Sequence, residues 1–345
     1  MSRSLNKWPL RSHPLLRLLA LGLLCSSVLS HPAASAHNDE SERLSREADR
    51  SADPLRTLLR QASRARSLVL PESSELKQAQ TLFEQLLRGG SAASGNIRAS
   101  ASALHMQVLD LDQITVLMEN GQAQRGRGLF AFRRSAAVDK ARKSGAQAVA
   151  QDGLQDGLQD VLQVPHAFKD EMTRDIGLAL FAEAPFAAVA FNTVPRRFID
   201  ANGNEVMADM AHLESSYFMA FTRASASVLR QGRTVQIHGF DQGKRKTSKL
   251  AEADIILSAG HNQPPASMRQ ARQKLQQSLA RHIELYEGSV KELGATTNVQ
   301  AAALRAMAYQ RFIHVEMSRA MRQAMRDDSQ TRRNWINAIL GVATP

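Results

Sequence analysis

From about residue 158 onward the chain alternates short apolar runs with longer segments whose apolar positions recur at helical spacing. The runs VLQVPHAF, FAAVAFNTV, RTVQIHGF, DIILSAG and RFIHVEMS read as buried strands. Between them, TRDIGLALFAEA, ESSYFMAFTRASASVLRQG, MRQARQKLQQSLARHIELYEG and AAALRAMAYQ read as helices, and a further helix closes the chain. Strand and helix in alternation predict an α/β architecture: a mostly parallel mixed sheet flanked by helices. In such sheets the ligand site lies at the carboxyl ends of the strands.

The upstream pattern differs. Residues 37 to about 66 are polar and charge-rich. SELKQAQTLFEQLLR carries Leu76, Leu82, Phe83, Leu86 and Leu87 at helical spacing, and Gly89-Gly90 ends it. SAASGNIRASASA resembles a linker. LHMQVLDLDQITVLMEN alternates as one or two strands, with Asn120-Gly121 as a hairpin turn, and GRGLFAFRR reads as another strand. Residues 152–163 repeat the unit DGLQ, too briefly for a solenoid. The expected organisation is a signal peptide over 1–36, a polar and helical lead-in with linker over 37–100, and an α/β domain over 101–345 with an N-terminal α+β extension.

The first 36 residues read as a secretory leader. Arg3, Lys7, Arg11 and Arg17 precede the apolar LLALGLLCSSVLS, and Ala34-Ser35-Ala36 has the A-x-A form of a cleavage site. The apolar run is shorter than the ~20 residues of a spanning helix. Cleavage there removes Cys25, the single cysteine of the chain, so a thiol nucleophile, a disulfide and a cysteine-ligated metal are excluded from the mature form. The whole chain carries a formal +11; without the leader 40 basic residues face 33 acidic ones, a net +7. That balance suits anionic partners such as wall polymers or acidic peptides. Sparse aromatics argue against a stacking platform for nucleic acid.

Candidate chemistry sits at the strand ends. His166 ends VLQVPH, His238 ends RTVQIH, and His314 and Glu316 lie in RFIHVEMS, where Phe312, His314 and Glu316 share one strand face. Two imidazoles and a carboxylate suffice for a zinc site with an open position. Asp170 and Glu171 both follow His166 closely enough to be the third ligand, with Thr173 placed to orient the carboxylate; Asp170 could equally cap the next helix. His212, in DMAHLESSYF, is a candidate to contact substrate, and Ser215 or Ser216 to cap the helix after it. Arg196, Arg197 and Arg319 are candidates for holding an acidic group. No G-x-S-x-G, Walker loop or H-E-x-x-H occurs.

VPHAFKDEMTRDIGLALF, DMAHLESSYFMAF, VQIHGF and RFIHVEMSRAMR together resemble, in that order, the zinc peptidases of the carboxypeptidase-type fold, and within them the poly-γ-glutamate hydrolases of phages and their secreted bacterial relatives. The likeness spans about Leu158 to Arg326. It implies a zinc ion held by His166, Asp170 and His238, with Glu316 as general base. It further implies a secreted or periplasmic hydrolase of an amide bond in a peptide or amino-acid polymer. The sequence departs from the family at Ala167, Phe168 and Lys169, where glycines are frequent, and at Asp170, where the phage enzymes carry Glu. The rival expectation is a catalytically inactive basic envelope protein that binds anionic cell-wall material through Lys244, Arg245, Lys246 and Lys249.

Overall fold

The computed structural model describes residues 54–63, 67–121, 124–134 and 158–341. The expected leader and cleavage site, most of the polar lead-in and the first DGLQ units lie outside the described residues. Helix α1 (54–62) is followed by α2 (Ser73–Leu87) and α3 (Gly95–Ala103). Strands β1 (Met106–Leu111), β2 (Ile114–Glu119) and β3 (Leu129–Arg133) come next. The alternating region supplies β4 (Asp160–Val164), α4 (Thr173–Glu183), β5 (Phe186–Phe191), the hairpin β6 (Arg197–Ile199) and β7 (Glu205–Met207), α5 (Tyr217–Val228) and β8 (Thr234–Gly239). It ends with α6 (Ser248–Glu252), β9 (Ile255–Ser258), α7 (Ala266–Leu279), β10 (Ile283–Leu285), α8 (Val299–Ala306), β11 (Phe312–Met317), α9 (Arg319–Asp327) and α10 (Ser329–Leu340).

Nine strands form one sheet in the order β1-β2-β3-β5-β4-β8-β11-β9-β10. Its centre, β5-β4-β8-β11, is parallel. β1, β2 and β3 add an antiparallel meander at one side, β9 runs antiparallel to β11, and β10 parallel to β9. The expected α/β class, a mixed sheet with helices around a parallel centre, is therefore the observed one. Both faces are covered, as a parallel centre requires. Leu162, Val164, Val189 and Phe191 pack with α1, α4 and α7, while Val161, Ala188 and Ala190 pack with α2, α3 and α5. Gly177 lets α4 lie close on the sheet: a Cβ there would sit 2.7 Å from Val164 Cγ2 and 2.9 Å from Phe191 Cε1.

Local sequence readings needed three corrections. Residues 91–103, expected as a linker, contain α3; Ser94 caps it and Ile97 and Ala101, four apart, bury one narrow face among small residues. Asn120-Gly121 begins the nine-residue connection between the antiparallel β2 and β3 rather than forming a two-residue turn. β1 and β2 pair through to Leu111↔Ile114, so Asp112-Gln113 forms the turn. The helix expected over 268–288 ends at Leu279, where Ala280 takes a left-handed φ of 51°, and Ile283 and Leu285 go on as a strand beside β9. Among the described residues no helix is long and apolar enough to cross a membrane.

The lead-in helices belong to the core. Phe83 of α2 packs 4.6 Å from Phe130 and 5.6 Å from Phe221, centroid to centroid. Buried Arg127 pairs with Glu75 at 2.8 Å and lies 5.0 Å over the Tyr217 ring, whose hydroxyl donates to Glu75 at 2.8 Å.

Candidate metal centre

Parallel registry assembles the site. Glu316 of β11 stands beside His238 of β8, and one step down Gln163, Gln236, His314 and Ser258 form a polar row across β4, β8, β11 and β9. His166 follows β4 directly. Asp170 comes from the turn after it, in which His166 O accepts the N–H groups of Lys169 and Asp170. The turn closes through Met172, in the left-handed region at φ 71°, before α4 begins. Asp170 is not the cap of that helix. Thr173 Oγ1 donates to the Asp170 backbone carbonyl at 2.7 Å, so it fixes the turn rather than the carboxylate.

Three donor atoms meet here. His166 Nδ1 and His238 Nδ1 are 3.0 Å apart, and Asp170 Oδ2 lies 3.3 Å from the first and 3.5 Å from the second. All three side chains are buried. Ligand atoms in a tetrahedral site are separated by about 1.6 bond lengths, so zinc bonds of roughly 2.0–2.1 Å demand separations of roughly 3.3 Å. The observed triangle matches that demand. The outer nitrogens are held as metal-binding histidines require. His166 Nε2 is 2.7 Å from Asp209 Oδ1, and His238 Nε2 is 2.8 Å from Gln236 Oε1. Gly239 N–H donates to Asp170 Oδ2 at 3.0 Å. A second grouping, His238, His314 and Glu316, also brings potential ligand atoms within 4.8 Å of one another.

Electrostatics bind the cluster together without a metal. Burial disfavours a charged His166, but Asp170 and Asp209 outweigh it and raise the imidazole to about 9. Burial likewise opposes both carboxylates' charge, yet the histidines hold Asp170 and Asp209 well below the usual carboxylate range. Burial, aided by the charge of His166, lowers His238 to about 4. Burial also pushes Glu316 up to about 8, with Asp170 adding repulsion. Glu316 Oε1 is 3.7 Å from His314 Nε2, while Oε2, like His314 Nδ1, has no hydrogen-bond partner among the described residues.

The cluster opens into a cavity of about 810 Å³ whose lining includes Glu316, Arg196, His212, Lys244, Arg319 and Arg322. Asp209 joins its wall together: Oδ1 meets His166, while Oδ2 meets His212 Nδ1 at 3.1 Å and the Arg196 guanidinium. His212, half-exposed, also reaches Thr297 Oγ1 at 3.1 Å. Ser216 rather than Ser215 caps α5. Arg319 and Glu171 both line the cavity and pair at 3.3 Å as exposed side chains. Arg197 does not line it; it is exposed on β6 and pairs with Glu205. Neighbours on an extended segment point to opposite sides, so Arg196 faces the site and Arg197 does not. Sequence reasoning had no role for Asp209, Gln236 or Asn298. The D-x-x-H spacing was a signal for the first. The others act through hydrogen bonds that only the sheet registry brings together.

No protein-family model matches the chain, and no curated protein matches it. Among solved structures, it is similar to an N-formylglutamate amidohydrolase from Ralstonia eutropha at 13% identity and a TM-score of 0.35, over 54% of this chain and 92% of that one. It is also similar to a candidate metallopeptidase from Shewanella amazonensis at 10% identity and a TM-score of 0.34, over 72% of this chain and 94% of that one. A third likeness is to an aspartoacylase family protein from Mesorhizobium loti, at 10% identity and a TM-score of 0.34, over 70% and 72%. These are distant likenesses; the site's chemistry rests on its own geometry.

Proposed function

We propose that the chain is a zinc-dependent hydrolase that cleaves an amide bond in a peptide or amino-acid polymer. One observation carries the reading. Two imidazole nitrogens and a carboxylate oxygen form a triangle of 3.0, 3.3 and 3.5 Å, the size of a tetrahedral face around zinc, beside the unpartnered Glu316 Oε2 in an open cavity. His166, Asp170 and His238 would hold the ion through Nδ1, Oδ2 and Nδ1. Zinc in such a set supplies a Lewis acid for the scissile carbonyl and makes water a stronger acid.

The remaining steps belong to the chain. Glu316 Oε2 takes the proton of the attacking water and returns it to the leaving amine, a task suited to a base whose pKa lies near working pH. His212 and Arg196, both held by Asp209, form one wall for the substrate, and Arg319 another. The cationic rim, with Lys244 and Arg245, suits acidic groups on the polymer. The leader makes this an exported enzyme, secreted or periplasmic; N-terminal mass determination of the exported protein should find Ala36 removed.

The test is metal content and turnover in paired variants. Purified protein should hold one zinc per chain, and Glu316→Gln should keep the zinc while losing at least ~100-fold of its hydrolysis of α- and γ-linked acidic oligopeptides. Full activity in Glu316→Gln would refute the base assignment. Salt-sensitive binding of anionic wall polymer, without zinc or turnover, would replace the enzyme by the binding protein.

A further inference from the structure

The strongest unexplained feature beside the triangle is a directed chain of buried amides. Ala301 N–H donates to Asn298 Oδ1 at 2.9 Å. A backbone N–H can only donate, so Asn298 must turn its Nδ2 the other way, and that group donates to Gln236 Oε1 at 2.7 Å. Gln236 Oε1 is therefore an acceptor, and His238 Nε2, 2.8 Å from it, must carry the hydrogen. The far end agrees. Gln236 Nε2 donates to Gln163 Oε1 at 3.0 Å, Gln163 Nε2 to Thr222 Oγ1 at 2.9 Å, and the Thr222 hydroxyl to Phe218 O at 2.8 Å. A backbone donor at one end and a backbone acceptor at the other leave a single polarity. Gln163, Gln236, Thr222 and Asn298 are all buried, and of the four only Asn298 touches the cavity.

We infer that Asn298 and Gln236 are positioning residues that fix the tautomer of His238, keeping its Nδ1 lone pair free to face Asp170 Oδ2 and His166 Nδ1. The wrong tautomer would aim an N–H into the triangle. Asn298 lies in the cavity wall next to Thr297, the partner of His212, so the segment that bears on substrate also sets the donor atom of the site. The inference rests on the metal-centre reading for its purpose, but the tautomer itself does not require a bound ion.

Long-range ¹⁵N–¹H correlation spectra of the metal-free protein should show His238 with hydrogen on Nε2 and none on Nδ1. Asn298→Asp keeps the acceptor that caps α8 but removes the donor. Gln236 and Gln163 then reverse their amides together, with the Thr222 hydroxyl giving up Phe218 O to donate to Gln163, and the imidazole should move its hydrogen to Nδ1. Zinc affinity, measured by competition with a chelator, should fall roughly tenfold, the low end for loss of an orienting partner. Gln236→Glu retains an acceptor and should keep both the Nε2–H form and zinc affinity within about threefold, whereas Gln236→Met should keep neither. An Nδ1–H form in the wild-type protein, or an unchanged tautomer in Asn298→Asp and in Gln236→Met, would overturn the inference. If zinc fails to bind while the tautomer responds as stated, the metal reading falls and this one stands.

Discussion

The Nδ1 atoms of His166 and His238 face each other across 3.0 Å, although neither atom has an obligatory hydrogen. Without a metal that contact needs a proton, and His166, raised to about 9 by its two carboxylates, supplies it. A bound cation must displace it. Below pH 9 the apparent zinc affinity should therefore climb by about tenfold per pH unit. Calorimetric titration at pH 7 in buffers of different ionisation enthalpy should find at least one proton released per zinc. Release of none would mean that the cation does not enter between these rings.

Much of this arrangement was legible in the sequence because it depends on strand ends. VPH and VQIH each finish an apolar run with histidine, and a largely parallel sheet sends such ends to one edge. Adjacent parallel strands then bring His166, Asp170 and His238 together. The face shared by His314 and Glu316 followed from strand alternation alone. What was not legible depends on register and on turns. Nothing in the string pairs Gln236 with Asn298, 62 positions apart. A turn running through Met172 in the left-handed region sets Asp170 beside the histidines, and methionine is a residue type that gives no warning of positive φ. The helix over 268–288 was drawn too long because its strand, Ile283 to Leu285, is three residues and too short to show a period of two.

Glu316 should make the metal-free protein less stable as pH rises. Burial lifts its folded-state pKa from 4.5 to about 8. The unfolded chain thus gives up the proton first. The stability this group contributes is fully present below about 4.5 and is lost as pH climbs through about 8, at about 1.4 kcal/mol per pH unit in between. Denaturant melts of the chelated protein at intervals from pH 5 to 8 should show that slope, and Glu316→Gln should remove about that much of it. An identical pH dependence in both proteins would place Glu316 in water rather than in the core.

Arg127 tests whether the lead-in helices are structural partners of the sheet. Its guanidinium is buried, pairs with Glu75 of α2 and lies over Tyr217 of α5. Removing the guanidinium leaves Glu75, which is 22% exposed and still accepts from Tyr217, without its ion pair and removes the bond to Val69 O, at a cost of about 2 kcal/mol. Arg127→Ala should lose that much in a denaturant melt and leave zinc stoichiometry at one per chain. A loss under about 0.5 kcal/mol would mean that α2 contributes little to holding the sheet.

Gly239 and Arg322 account for the seat of Asp170. Arg322 Nη1 donates to Met317 O at 2.5 Å and Phe240 O at 3.4 Å, which ties together the carboxyl ends of the strands bearing Glu316 and His238. The guanidinium crosses Gly239 so closely that a Cβ there would lie 2.2 Å from Nη1, 2.6 Å from Cζ and 2.9 Å from Cδ. Gly239→Ala must therefore displace either the arginine or the strand end, and the same glycine's N–H is the donor that holds Asp170 Oδ2. The variant should lose about 2 kcal/mol of stability, as overpacking does, and bind zinc roughly tenfold more weakly, as loss of a ligand's orienting bond does. Arg322→Ala in the same background relieves the clash without restoring the tie. The double variant should regain stability relative to Gly239→Ala while zinc affinity stays low. Zinc affinity equal to wild type in Gly239→Ala would show that Asp170 is held by its own turn alone.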